Sequence, residues 1–167
     1  MQNDEIRLPE RDRLRVRVFT LADYAATPPD GKLYIGGAGV HQLNLANLPG
    51  PLEVPVYLVV RLYVPYLELN DVHHVRIRVL DEDEQPIGLD PLIDIPDLET
   101  GRAPGTRAGD EGSLNIVLSL VGYPITRNID REIRTRIHLE VDGRELDTLP
   151  LKISRVPRPQ VLPGGAS

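Results

Sequence analysis

The chain has 167 residues, 41% of them hydrophobic and 26% charged, and a formal net charge of −6. That length suits one domain with a real core, and the composition is that of a globular protein and not of a disordered tail. With no cysteine and no apolar run near the roughly 20 residues of a spanning helix, disulfide frameworks, zinc ribbons, iron–sulfur clusters, thiol nucleophiles and transmembrane helices are excluded.

The acidic balance argues against a nucleic-acid or anionic-membrane partner, because nothing global attracts polyanions. All but two of the 19 basic residues are arginine, Lys32 and Lys152 being the exceptions. The N-terminal Met1-Gln-Asn-Asp-Glu-Ile-Arg lacks the basic-then-apolar order of a signal peptide, so a cytoplasmic location is expected.

Residues 1–12 are polar and read as a flexible N-terminus, residues 13–155 as the domain, and 156–167, rich in Pro and Gly, as a tail. Within the domain the dominant period is two. Leu14, Val16 and Val18 alternate with Arg15, Arg17 and Phe19, as in a strand with one buried face. Thr27-Pro-Pro-Asp-Gly-Lys turns the chain into a second strand, 32–43, whose Gly36, Gly37 and Gly39 suggest a bulge or a close backbone approach. Val54 to Val64 is apolar on both faces and should be central.

Val75, Ile77 and Val79 alternate with His74, Arg76 and Arg78 in a fourth strand that ends in the acidic turn Asp81-Glu-Asp-Glu. Ile87–Ile95, broken by Pro91, reads as an edge strand. Residues 97–112 hold four glycines and read as a long loop. Leu114, Ile116, Leu118 and Leu120 mark a sixth strand, Ile133 to Val141 a seventh, and Asp142-Gly143 a tight hairpin into an eighth, Leu146–Ile153. About eight strands and no helical stripe predict an all-β fold, a single antiparallel β-sandwich of immunoglobulin-like or related Greek-key type.

No catalytic residue, cofactor site or metal site is expected. Gly36-Gly-Ala-Gly is followed by more strand, whereas a phosphate loop needs a helix N-terminus there. Side chains on the turn 81–84 diverge, although carboxylates can hold calcium, with Asp110 and Glu111 as the nearest candidates to complete a site. His73 and His74 point to opposite faces of a strand, and Ser113 or Ser119 with His138 makes a triad only on paper.

The alternation places Arg15, Arg17, Arg61, Arg76, Arg78, Arg134 and Arg136 opposite the core rows of their strands, with Tyr57 and Tyr63 among them. If the strands share a sheet, an acidic protein carries one basic, tyrosine-bearing face, the composition of a binding hot spot. The competing view is an ordinary solvated surface, with these arginines paired to Glu132, Glu140, Glu145 or Asp147.

Leu21-Ala-Asp-Tyr-Ala-Ala, then Gly31-Lys-Leu-Tyr-Ile-Gly-Gly-Ala-Gly, then Val56-Tyr-Leu-Val-Val-Arg-Leu and the turn Leu80–Asp83, resemble the motifs of an uncharacterised bacterial β-sandwich family. The resemblance implies a small β-sandwich and carries no catalytic or ligand residues; Asp23 reads as an Asx-turn residue and Gly36 and Gly37 as backbone shape. The expected function is a non-catalytic interaction or adaptor module in a bacterial cytoplasmic complex. Its partner is an acidic protein, held by the Arg/Tyr face or an edge strand. The alternatives are a structural subunit of a homo-oligomer and a small-ligand or carbohydrate-binding domain that uses Tyr57, Tyr63 and loop 97–112.

Overall fold

The computed structural model describes residues 13–102 and 104–157. The expected N-terminal segment 1–12, and residues 158–167 of the expected tail, lie outside them. The described residues form eleven strands: β1 (Arg15–Ala26), β2 (Tyr34–Ala38), β3 (Gln42–Leu45), β4 (Gly50–Pro51), β5 (Tyr57–Val64), β6 (Val72–Asp81), β7 (Ile93–Glu99), β8 (Gly112–Ser119), β9 (Pro124–Ile125), β10 (Glu132–Val141) and β11 (Arg144–Arg155). One 3-10 turn at Tyr66–Glu68 interrupts them. No helix among the described residues is long and apolar enough to cross a membrane.

The fold is all-β, but the expected eight antiparallel strands become eleven in three sheets, two antiparallel and one mixed. A four-stranded sheet runs β2-β1-β5-β8, a five-stranded sheet β3-β11-β10-β6-β7, and a two-stranded ribbon β4-β9. All pairs are antiparallel except β3 with β11, where Gln42–Leu45 run alongside Lys152–Arg155. The expected second strand is in fact two. It breaks at Gly39, whose φ of 91° lets the chain leave the four-stranded sheet and enter the other.

The two larger sheets share one core. Leu21, Leu58, Val60 and Leu62 from one meet Val75, Ile77, Ile137, Leu139 and Ile153 from the other, all essentially without solvent contact. β5 is central, as its two apolar faces predict. Its outward Val59 is also buried, with Ala22 and Ala25, against Val18, Leu33 and Ile35 in a second, smaller cluster.

A bulge at Arg17 overturns one assignment. Val16 pairs with Leu62, but Val18 pairs with Arg61, the register having slipped between them. Val16 therefore faces the main core while Val18 turns to the outer cluster, and the predicted common face of Leu14, Val16 and Val18 does not exist. The predicted loop also shortens, because β7 runs on to Glu99 and pairs with Val72.

Candidate functional site

The same bulge leaves Arg15 and Arg17 on one side of β1, above Tyr63 of the neighbouring β5. Their guanidinium carbons stand 4.4 and 5.3 Å from its ring centroid, within cation–π range. They cover a ring that is only 8% exposed. Arg61 lies two residues back on the same face of β5, opposite Val18. Next to this cluster, the chain leaving β5 at Pro65 forms the 3-10 turn, where Arg102 stacks 4.2 Å over Tyr66 and donates a hydrogen bond to its carbonyl at 3.2 Å.

Two depressions adjoin there. One, of about 420 Å³, is bounded by Arg15, Tyr63, Tyr66, Leu67 and Glu111. The other, of about 340 Å³, is bounded by Arg17, Arg61, Tyr63, Glu111 and Ser113. Tyr63 and Glu111 belong to both, so they make one groove at the end of the four-stranded sheet, bordered by residues 108–111. Among the described residues, the ion pair made by Arg15, Arg17 or Arg61 is that of Arg17 with Glu111, at 3.9 Å between half-exposed side chains. Such a pair is worth at most about 1 kcal/mol. Asp110 is occupied locally, accepting the Arg107 amide at 2.6 Å. The Nε of Arg15 is buried without a hydrogen-bond partner among the described residues.

Of the nine residues proposed from sequence, Arg15, Arg17, Arg61 and Tyr63 are thus brought together. Tyr57 is not. It lies at the far end of β5, six residues or ~20 Å from Tyr63, and packs edge-on against Tyr24 with ring centroids 6.1 Å apart.

Arg76, Arg78, Arg134 and Arg136 belong to β6 and β10 of the five-stranded sheet, on the other side of the shared core. A single face carrying Arg61, Arg76 and Arg134 is therefore ruled out: the strands that bear them do not share a sheet. On that second face the neutralised reading holds for two arginines, but with other acids than expected. Arg78 donates two hydrogen bonds to Asp90, at 3.0 and 2.8 Å. These hold the Asp90 carboxyl below its ordinary range and the Arg78 guanidinium above its own, against the opposing effect of burial. Arg76 lies 3.8 Å from Asp94, which also pairs closely with His74. Glu132 and Glu145, two of the expected acceptors, go to Lys152 and His138. Arg134, Arg136 and Lys152 line a depression of about 350 Å³.

A cleft of about 450 Å³ lies at the β10–β11 hairpin, lined by Glu68, Asp71, His73, Asp142 and Arg144 among others. His73 and His74 do take opposite faces. His73 Nδ1 is 2.9 Å from Asp142, which also accepts the His74 amide at 2.8 Å. Burial pushes the Asp142 carboxyl up, but these hydrogen bonds from His73 and His74 leave it below its usual range. Burial raises the Glu68 carboxyl. The side chain reaches both histidines because Asp142 and Gly143 turn with φ of 53° and 73°, as an Asp-Gly hairpin requires.

The acidic turn is built inward. Asp81 is buried, accepts the amides of Asp83 and Gln85 at 2.9 and 2.8 Å, and pairs with Arg127. Asp110 and Glu111 border the Tyr63 groove instead of this turn. Among the described residues no group of three or more His, Asp or Glu is placed to hold a metal ion. Ser113 and Ser119 lie on β8 while His138 lies on β10, so they occupy different sheets.

Tyr66, Leu67 and Arg102 escape the sequence reading. Their signal is faint: Pro65 ends the alternation of β5, and Arg102 stands in a run of loop residues. Asp23 also differs from expectation. It lies within β1 against Gly37, where a Cβ would stand 2.2 Å from its carboxylate, and the Asx geometry belongs to Asp30, which accepts the Lys32 amide at 3.1 Å.

No match appears among the curated proteins. The sequence profile of one family matches residues 17–154, from the bulge in β1 to the penultimate residue of β11, and so covers most of both larger sheets and the groove residues other than Arg15. The chain belongs to that family, a family of unknown function, DUF6941.

Proposed function

We propose that the protein is a non-catalytic interaction module that holds an acidic, partly apolar segment of a partner protein in the Tyr63 groove. The observation that carries the reading is the gathering of Arg15, Arg17, Arg61 and Arg102 around Tyr63 and Tyr66, where Asp110 and Glu111 are the acidic residues that line the groove among the described residues. In a protein of net charge −6, such a patch focuses a field of the opposite sign and steers an acidic ligand to it. Stacking on a ring leaves an arginine's remaining in-plane donors for carboxylates, although Arg102 already gives one to the Tyr66 carbonyl, and exposed Leu67 supplies an apolar contact at the rim. In this reading the two sheets that share the core act as the layers of a β-sandwich scaffold, and the module works in the bacterial cytoplasm.

The test is fluorescence anisotropy with labelled peptides rich in Asp, Glu and Leu, against neutral and basic controls. Acidic peptides should bind with an affinity that falls as salt rises. Arg15→Glu with Arg17→Glu should weaken binding at least 10-fold while leaving the β spectrum intact. Arg76→Glu with Arg134→Glu, on the other sheet, should leave it unchanged. Equal loss in both double variants, or no preference for acidic peptides, overturns the proposal.

A further inference from the structure

Among the described residues, β8 ends the four-stranded sheet, with β5 as its neighbour. Its eight residues, Gly-Ser-Leu-Asn-Ile-Val-Leu-Ser, contain no charge and no proline, and its pairing with β5 runs from Gly112 to Ser119 without a register shift. The other edges are blunted in the ways edge strands usually are. β2 has five residues, two of them glycine; β3 has four; and β7 carries Pro96 together with Asp94, Asp97 and Glu99.

The backbone phase of β8 follows from one hydrogen bond. The Leu120 amide donates to the Val56 carbonyl at 2.9 Å. Since the N–H and C=O of a residue point to the same side and alternate along a strand, Leu114, Ile116 and Leu118 bond toward β5. Ser113, Asn115, Val117 and Ser119 present theirs to the open side. The side chains of Leu114, Ile116 and Leu118 pack against the main core, yet each remains only partly buried. The sheet is thus short of one strand in two respects, hydrogen bonds and apolar cover.

We propose that β8 pairs with β8 of a second copy of this chain, antiparallel about a two-fold axis, joining two four-stranded sheets into one. The strand is complementary to itself. With Ile116 at the axis, Leu114 lies opposite the partner's Leu118, Asn115 opposite the partner's Val117, and Ser113 opposite the partner's Ser119. The apolar row then continues from core to core, and no like charges meet. This pairing does not rest on the Tyr63 groove reading, although Ser113 also borders that groove.

Light scattering of the full chain over a dilution series should show a mass that rises with concentration toward twice 18.6 kDa. Amide exchange followed by NMR should slow at Asn115 and Val117 over the same range, while Leu114, Ile116 and Leu118 are protected throughout. Ser113→Lys with Ser119→Lys, and separately Ser113→Glu with Ser119→Glu, change exposed side chains and should each give a monomer. An equimolar mixture of the two should restore a mixed dimer. A chain that stays monomeric at its highest soluble concentration overturns the proposal, as does a dimer with unprotected Asn115 and Val117 amides or one indifferent to the charge swaps. Arg15→Glu with Arg17→Glu should dimerise as the unmodified chain does, so loss of peptide binding and loss of pairing are separately readable.

Discussion

Gly88 sits where a side chain has no room. A Cβ on it would stand 2.1 Å from the Pro124 carbonyl oxygen and 2.7 Å from the Tyr123 hydroxyl, at the point where Gly88 bridges Ile125 of β9. The obstacle is backbone, which cannot rotate away. Gly88→Ala should therefore cost about 2 kcal/mol or more, read as a lowered urea midpoint; an unchanged midpoint would mean that this corner yields freely. At Gly37 the neighbour is instead the end of the Asp23 side chain, in a backbone with φ of 65°. There the two halves of the sequence motif, Leu-Ala-Asp and Gly-Gly, meet across β1 and β2, with Ala22 beside Ala38 and Tyr24 beside Gly36. They fix a backbone fit, which accounts for a motif without chemistry.

Among the elements, β6 and the segment leading into β7 are joined by the two hydrogen bonds of Arg78 to Asp90. Arg78's hydrogen bonds depress the Asp90 carboxyl below its ordinary 3.8, so the pair's contribution is present above that pH and is lost as pH falls through the lower, folded value. Asp90→Asn should cost about 1 kcal/mol near neutrality and should flatten the acid limb of a stability-against-pH curve; an acid limb as steep as the parent's would show that other carboxylates carry it. The elements themselves were largely legible. Period-two alternation located β1, β5, β6, β8, β10 and β11, and Asp142-Gly143 located the hairpin, because one buried face imposes its pattern on each strand. Strand order was not legible, since alternation says which face is buried but not against which neighbour. That is why the seven arginines expected on one face divide between two sheets, and why only Arg15, Arg17, Arg61 and Tyr63 of the nine residues gather at the groove. The bulge at Arg17 was hidden for a related reason: an extra residue shifts the phase without changing composition.

At the scale of the whole molecule, the core couples the sheets. Ile137 of β10 is fully buried and belongs to the cluster that holds Leu58, Val60 and Leu62 of β5. Ile137→Ala should cost about 2–5 kcal/mol, and tyrosine fluorescence and far-ultraviolet dichroism should report one common, earlier transition; two separated transitions would show that the sheets melt independently.

The parallel pairing of β3 with β11 has a consequence during synthesis. Residues 42–45 leave the ribosome long before residues 152–155, the segment they must lie beside. Among the described residues no nearer stretch pairs with them, since Gly39 has already turned the chain away from β2. The five-stranded sheet can thus be closed only after translation has passed Arg155, and until then Leu43 and Leu45, buried in the finished protein, are apolar side chains awaiting a template. A nascent chain stalled short of that point should be sensitive to protease at 42–45 and become resistant once β11 is released.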